Sequence, residues 1–192
     1  MLVRKAFLAV LSVFALALLP ADLFGQEVMA RDAEAPDRAA LIENALSAAP
    51  ETIAAGAAVA DWEGNVLREG TNDYTCLPDD PNLPGNSPMC LDSTWMTWAD
   101  AWMNQTEPPT PDAIAFGYML QGDFPTSNTD PYAMEPTDDN EWIEDAGPHI
   151  MALVPDALML EGISTDHENG GPWIMWRDTP YAHVMIPAAA RK

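Results

Sequence analysis

Two short segments of this sequence repeat the pattern His-x-Met, and both lie in apolar stretches that end in proline. They are His149-Ile150-Met151 and His183-Val184-Met185. Because side chains alternate across a β-strand, each His and its Met are expected on one face, opposite an aliphatic face. If the two strands pair in register, imidazole nitrogens and thioether sulfurs converge.

That ligand set suits Cu(I), because thioethers select soft metals. The predicted metal site is therefore made of His149, Met151, His183 and Met185. In the competing structural interpretation, the imidazoles hydrogen-bond to core neighbours and the thioethers fill gaps in the packing.

The aromatic residues are a second set with functional potential. Trp95, Trp98 and Trp102 share one helical face with Ala99, at the spacing of a packed helix. We expect this face to be core, because a sugar-stacking platform requires exposed rings. The candidates for lining a ligand pocket are Trp173, Trp176, Tyr118 and Tyr181.

Acidic turns offer oxygen ligands for a hard cation. Three of them are rich enough in oxygen for Ca²⁺, although none has the spacing of an EF-hand loop. They contain Asp79, Asp80 and Asn82; Asp138, Asp139 and Asn140; and Asp166, Glu168 and Asn169. The competing interpretation is a solvated acidic surface. Copper and calcium are therefore the two cofactors that the sequence suggests.

The charge of the chain limits its partners. It has 30 acidic and 8 basic residues, a formal net charge of −22, and no Lys or Arg between Glu69 and Trp176. Such a surface repels nucleic acid and phosphorylated substrates, and it suits cations, high-salt water or a basic protein. No P-loop, nucleophile elbow or paired-cysteine zinc motif is present, so the sequence does not favour an enzyme.

The N-terminus has the pattern of an export signal. Arg4 and Lys5 precede an apolar run over residues 6–19, which Pro20 ends. The run is too short for an ordinary membrane span. We therefore expect a signal peptide over residues 1–30, cleaved between 25 and 31, and a single secreted domain over residues 31–192. The expected location is periplasmic or secreted, with no stable membrane span after cleavage.

Cys76 and Cys90 are the only cysteines, and an exported chain with two cysteines is expected to join them in a disulfide. The residues between them include four prolines and a glycine, at positions 78, 81, 84, 88 and 85. Such a segment is not expected to form a helix or a central strand, so we predict that the loop has little structure of its own.

The elements that must position these residues are two helices and several strands. Apolar spacing predicts helices near residues 36–49 and from Asp92 or Ser93 to Met103. Residues 52–60 and 66–69 are typical of a hairpin, and residues 113–120 of a strand with one bulky and one small face. A long acidic loop follows over residues 121–148. The fold predicted is α+β: a mainly antiparallel sheet with the two main helices on one face.

Five stretches carry a resemblance: GTNDYTCLPDDP, PGNSPMC, GYMLQGD, GGPWIMW and TPYAHVMIP. Over about residues 56–187 the chain resembles an uncharacterised family of secreted bacterial proteins. The resemblance implies a single secreted domain and brings no activity, cofactor or catalytic residue. The function that the residues favour is a secreted acidic binding module for a cation or small ligand. The alternatives are a hydrolase that uses a carboxylate and a His, for which His167 beside Asp166 and Glu168 is the suggestive pair, and an interaction domain for a basic protein.

Overall fold

The computed structural model of this protein describes residues 37–189, so the signal peptide predicted over residues 1–30 lies outside the described residues. The helices are α1 (Arg38–Leu46), α2 (Glu51–Ala54) and α3 (Ser93–Met103), and a 3₁₀ turn spans Ala157–Leu160. The strands are β1 (Ala58–Ala60), β2 (Val66–Arg68), β3 (Tyr74–Leu77), β4 (Met89–Asp92), β5 (Ala115–Met119), β6 (Thr126–Ser127), β7 (Trp142–Ile143), β8 (His149–Leu153), β9 (Trp173–Met175) and β10 (His183–Pro187). Within residues 37–189, no helix is long and apolar enough to cross a membrane.

Eight of these strands form one sheet in the order β2-β1-β3-β4-β5-β8-β10-β9. β1 and β3 pair in parallel, and the other neighbouring pairs are antiparallel. β6 and β7 form a separate two-stranded sheet inside the long acidic segment. The predicted α+β class with a mainly antiparallel sheet is therefore confirmed, although the helices are few.

The hairpin predicted over residues 52–69 is shorter than its sequence pattern suggested. β1 pairs with β2, but the extended chain begins only at Ala58, because residues 51–54 form α2. The backbone N–H groups of Ile53 and Ala54 both donate to the carbonyl oxygen of Pro50, at 2.9 Å. Burial of Ala54 against the sheet thus overrides the β propensity of the two β-branched residues Thr52 and Ile53.

The two longer helices pack on opposite faces of the sheet. Cys90 and Leu91 are consecutive residues of β4, so their side chains point to opposite faces. α1 packs through Ala45 in the same cluster as Cys90, whereas α3 packs through Trp95 in the same cluster as Leu91. The sequence pattern predicts both helices on one face, and this part of the prediction is wrong. An apolar stripe shows that a helix is covered, but it does not show which face of the sheet covers it.

The predicted disulfide between Cys76 and Cys90 is confirmed. The two residues lie directly opposite each other in the β3–β4 ladder, with α-carbons 3.9 Å apart. The loop between them has more structure than predicted. The Asp79 carboxylate accepts a hydrogen bond from the backbone N–H of Ser87 at 2.7 Å, and the Asn44 side chain accepts one from the Asp79 N–H at 2.7 Å. These bonds hold the loop against α1.

Asp92 determines where α3 begins and how it meets the sheet. One carboxylate oxygen accepts from the backbone N–H of Trp95 at 2.9 Å and caps the first turn. The other oxygen accepts from the N–H of Phe116 in β5 at 2.7 Å. The indole N–H of Trp95 also donates to the carbonyl oxygen of Ala115 at 3.2 Å. α3 is therefore fixed over β5.

The small face of β5 is the buried one. Ala115, Gly117 and Met119 are buried under α3, whereas Phe116 on the bulky face is exposed. A β-carbon added to Gly117 would lie 2.8 Å from Leu91 Cδ2 and 2.9 Å from Met151 Cε. The small side chains leave room above the sheet for the indoles of α3.

Candidate ligand-binding cavity

A cavity of about 210 Å³ lies between α3, the sheet and the segment that follows β5. Its wall includes the three indoles of α3, Trp95, Trp98 and Trp102. Trp95 and Trp98 are only 2% and 6% exposed, which confirms that this face belongs to the core. An apolar cavity of about 150 Å³ is enough to bind benzene in a protein interior. The space beside these indoles therefore suits a small organic molecule.

The aromatic wall is a column of stacked rings. Trp98 stacks on Trp176, with ring centroids 6.1 Å apart and planes at 4°. Trp176 stacks on Trp102 at 5.7 Å and 18°, and Trp102 stacks on Tyr132 at 6.3 Å and 6°. Stacking fixes the ring planes, so the wall presents rigid aromatic surfaces to the cavity.

Trp176 occupies this column at a conformational cost. Its φ angle is 55°, in the left-handed region that aromatic residues rarely adopt. Two hydrogen bonds to the acidic segment hold it there: its backbone N–H donates to Asn128 O at 2.8 Å, and its indole N–H donates to Ser127 O at 2.8 Å. A strained backbone that is held in place by its surroundings is typical of functional sites.

Methionine side chains form another part of the cavity wall. Six methionines line the cavity: Met89, Met119, Met134, Met151, Met175 and Met185. Five of them lie on the sheet, where Met151 and Met185 are directly opposite each other in β8 and β10. Met134 comes from the acidic segment and is 82% exposed. Because methionine is flexible and polarisable, this wall can adapt to the shape of a ligand.

His183 is the imidazole of the cavity wall. It is 2% exposed, and the rings of Trp95, Trp98 and Trp176 surround it at centroid distances of 5.1 to 5.5 Å. Its Nδ1 lies 2.9 Å from the carbonyl oxygen of Tyr181. Burial lowers its pKa to about 4, and nearby His149 also lowers it. The imidazole is therefore neutral at pH 7: Nδ1 donates to Tyr181, and Nε2 carries a lone pair.

Asp123 supplies the cavity with a carboxylate. It is partly buried, and one carboxylate oxygen accepts a hydrogen bond from the backbone N–H of Phe124 at 2.9 Å. Burial raises its pKa from 3.8 to about 7, against the lowering effect of this bond, and Asp145 adds to the increase. No Lys or Arg from the described part of the chain lines the cavity. Above pH 7 the site therefore has a negative charge and an aromatic wall, and the described lining residues supply no Lys or Arg cation.

The long acidic segment covers one side of the cavity through Pro131, Ala133 and Met134. Two hydrogen bonds fasten it to α3. The indole N–H of Trp102 donates to Pro131 O at 3.2 Å, and the Tyr132 hydroxyl donates to Trp102 O at 3.0 Å. A ligand approaching from this side meets the exposed carboxylates of the same segment.

The four predicted pocket residues have different positions. Trp176 lines the cavity, but Trp173 and Tyr181 lie in the core around it. The hydroxyl of Tyr181 donates to Thr106 O at 2.8 Å. Tyr118 lies on the other face of the sheet, where its ring centroid is 5.8 Å from that of Tyr74. These four positions can be told apart only once the order of the strands is known, because all four residues have the same kind of local sequence pattern.

The four predicted metal ligands share one sheet face, but only three of them line the cavity. β8 and β10 are antiparallel neighbours, so Met151 lies opposite Met185, whereas His149 lies opposite Pro187. His183 lies at the other end of β10 and pairs with Met175 of β9. His149 does not line the cavity and its Nδ1 is 2.7 Å from Gly147 O. Met151, His183 and Met185 do line it.

Two of the three acidic turns use a carboxylate locally. Asp80 accepts a hydrogen bond from the N–H of Asn82 at 2.9 Å, and Asp166 accepts one from the N–H of Glu168 at 2.9 Å. Between residues 37 and 189, no group of three or more His, Cys, Asp or Glu side chains is placed to hold a metal ion. The calcium hypothesis therefore gains no geometric support.

The carboxylate partner of His167 comes from a distant part of the chain. The Nδ1 atom of His167 lies 2.7 Å from Glu141 Oε1, so the imidazole contacts Glu141 and not the neighbouring Asp166 or Glu168. The second oxygen of Glu141 accepts from the Asn128 side chain at 3.0 Å. Glu141 and Asn128 border an open polar cleft of about 610 Å³, which Arg177 also lines.

Comparison with known proteins finds no match to this chain among protein-family models, curated proteins or solved structures. Function is therefore inferred from the geometry of the site. Two cavity residues that could bind a ligand, Asp123 and Met175, were not among the candidates from the sequence. The alternation of side chains along β9 could have identified Met175. Asp123 lies in a loop, and the sequence does not predict the path of that loop.

Proposed function

We propose that this domain binds a small apolar organic cation, such as a quaternary ammonium compound, in the cavity under α3. The observation that carries the proposal is the carboxylate of Asp123 in an indole-lined cavity that has no Lys or Arg in its wall. The face of an indole ring attracts a cation by about 0.5–2 kcal/mol, depending on desolvation. A neutral apolar ligand would leave the partly buried carboxylate without a counter-ion.

The surface charge supports a cationic ligand. The net charge is −22, and the stretch from Glu69 to Trp176, which supplies most of the cavity wall, contains no Lys or Arg. The segment that covers the cavity also has exposed carboxylates at Asp138 and Asp139. Such a field concentrates cations near the protein and accelerates their association, and it repels anions.

The test compares choline with its uncharged carbon isostere, 3,3-dimethylbutan-1-ol. The two have nearly the same shape, so their difference in affinity reports charge. Binding is followed at pH 8 by quenching of tryptophan fluorescence and by calorimetry. We expect choline to bind at least about 10-fold more tightly, which corresponds to about 1.4 kcal/mol.

Two variants locate the effect. Asp123→Asn is expected to remove most of the preference for choline, whereas Asp139→Asn makes the same change in net charge at an exposed position and is expected to preserve it. Equal affinities of the wild type for the two compounds would contradict the proposal. So would an equal loss of preference in both variants, because steering by the overall charge would then explain the result.

The second candidate function is hydrolysis, and the 2.7 Å contact between His167 and Glu141 favours it. A carboxylate that orients an imidazole is half of a general-base arrangement. No Ser, Thr or Cys among the described residues hydrogen-bonds to His167, so the nucleophile would be water. A screen of ester and amide substrates with the wild type and Glu141→Gln tests this candidate. Hydrolysis that is the same in both proteins would exclude it.

We also propose that the domain is exported to the periplasm or beyond the cell. The Cys76–Cys90 disulfide supports this location, because such bonds persist in oxidising compartments. Fractionation of cells that express the full chain tests the proposal. Recovery of the intact protein from the cytoplasm would contradict it.

A further inference from the structure

We propose that the same cavity contains a Cu(I) site formed by His183, Met175, Met185 and Met151. The site lies on the sheet side of the cavity, where His183 also contacts the indoles of α3 and Trp176, and it does not depend on the binding of an organic cation. It differs from the set expected from the two His-x-Met segments, because Met175 replaces His149.

Strand register brings the four side chains together. His183 is directly opposite Met175 on β9, and Met185 is directly opposite Met151 on β8. Side chains that are directly opposite on one face have β-carbons about 4.5–5.5 Å apart. His183 and Met185 are two residues apart on β10 and therefore point to the same face. All four residues line the cavity.

The length and flexibility of methionine allow the sulfur atoms to approach the imidazole. Each thioether lies at the end of a side chain with three rotatable bonds, so small rotamer changes can bring two or three sulfurs to one point. His149 is opposite Pro187, four positions along β10 from His183, and it does not line the cavity.

The imidazole of His183 is prepared to act as a ligand. Its Nδ1 is committed to the carbonyl oxygen of Tyr181 at 2.9 Å, and this bond fixes the ring orientation and the tautomer. Within residues 37–189, the bond at Nδ1 is the one hydrogen bond found for this ring. Nε2 is the ring nitrogen farther from the backbone, and the ring is 98% buried in the cavity wall. Its lone pair is therefore available to a metal ion.

The donor set selects the metal. One imidazole nitrogen and two or three thioether sulfurs are soft ligands that favour Cu(I) over Mg²⁺, Ca²⁺ or Mn²⁺. The cysteine thiols of the chain are consumed in the disulfide, so they cannot compete for the ion. The apolar surroundings also suit a singly charged ion better than a doubly charged one, because the cost of desolvation rises with charge.

The experiment measures Cu(I) affinity without oxygen, by competition with a coloured Cu(I) chelator, and repeats it with Ag(I) as a redox-inert substitute. Three variants are compared: Met175→Leu, Met185→Leu and Met103→Leu. Leucine preserves apolar volume and removes the sulfur. Met103 is 58% exposed on α3 and lies outside the cavity, so it serves as the matched control.

We expect the wild type and Met103→Leu to bind one Cu(I) with equal affinity, and each of the other two variants to bind it at least about 10-fold more weakly. X-ray absorption of the wild-type complex should show sulfur and nitrogen neighbours. If the wild type binds Cu(I) no more tightly than the Met175→Leu variant, or if the copper has no sulfur neighbour, the inference is wrong.

Titrations of Asp123→Asn separate the two proposals. This substitution leaves His183 and the methionines in place, so the variant is expected to lose the preference for choline and to bind Cu(I) as the wild type does. Unchanged copper binding together with a lost choline preference supports two separate sites. Failure of choline binding in the wild type contradicts the proposed function and leaves the copper result to be judged by its own controls.

Discussion

Replacement of Asp123 by Asn tests whether the carboxylate lies in the wall of the cavity. Burial raises the pKa of this carboxyl group from 3.8 to about 7, so the folded protein holds a proton more tightly than the unfolded chain does. A raised pKa of an acid means that ionisation opposes folding. The unfavourable contribution is complete above about pH 8, decreases as the pH falls through 7, and disappears below about 4.

The pKa difference of about 3 units corresponds to about 4 kcal/mol at most. Because the side chain is partly exposed, water screens some of this effect, and about 2–3 kcal/mol is the expected gain. Asp123→Asn should therefore be more stable than the wild type by this amount at pH 8, and the difference should approach zero near pH 4. Urea unfolding, followed by tryptophan fluorescence at several pH values, measures it.

A matched comparison removes the effect of general charge repulsion, since the chain has many other acids. Asp139→Asn is expected to change stability by less than about 0.5 kcal/mol at every pH. If Asp123→Asn behaves as Asp139→Asn does, the carboxylate is hydrated and the cation proposal loses its main support. Saturating choline provides a second check, because a bound cation favours the ionised carboxylate and should reduce the pH dependence of the wild type.

Three further predictions concern the frame around the cavity. Gly117→Ala should destabilise the fold by about 1–3 kcal/mol in thermal or urea unfolding, because the new methyl group would crowd Leu91 and Met151; an unchanged stability would show that the sheet surface there is looser than described. Replacing both Cys76 and Cys90 by Ala should lower the free energy of unfolding by about 3 kcal/mol, whereas no loss would mean that the Asp79 hydrogen bonds alone restrain the loop. Glu141→Gln should lower the free energy of unfolding by about 1 kcal/mol, because the Glu141 carboxylate accepts hydrogen bonds from both His167 and Asn128. Glu144→Gln, at an exposed site, should cause no measurable change. Equal stabilities of the two variants would contradict the role given to Glu141.

Local sequence patterns predicted the parts of the fold that depend on neighbouring residues. The spacing of Trp95, Trp98 and Trp102 predicted α3, and Asp92, one of the two predicted starting residues, caps it, because a helix and its cap are made by residues within one turn. The disulfide followed from the number of cysteines. By contrast, the pattern over residues 52–60 predicted extended chain, and residues 52–54 are helical with Ala54 buried.

The parts that depend on strand order were not predictable from these patterns. The two His-x-Met segments correctly suggested neighbouring strands, but a sequence does not state the register. The observed register places His149 opposite Pro187, four positions along β10 from His183, and places Met175 directly opposite His183. Asp123 illustrates the same limit, because its raised pKa arises from burial and from Asp145, which lies 22 positions later in the chain.

Trp176, whose backbone is strained, connects the cavity to the polar cleft. Its left-handed backbone is held by a hydrogen bond from its N–H to Asn128 O, and the side chain of Asn128 donates to Glu141, whose carboxylate also contacts His167. Asn128 is 2% exposed, so these bonds are shielded from water and are costly to lose. The left-handed backbone of Trp176 is thus tolerated because the polar residues of the cleft hold it in place. The ring column that walls the cavity therefore depends on the same polar residues that border the cleft.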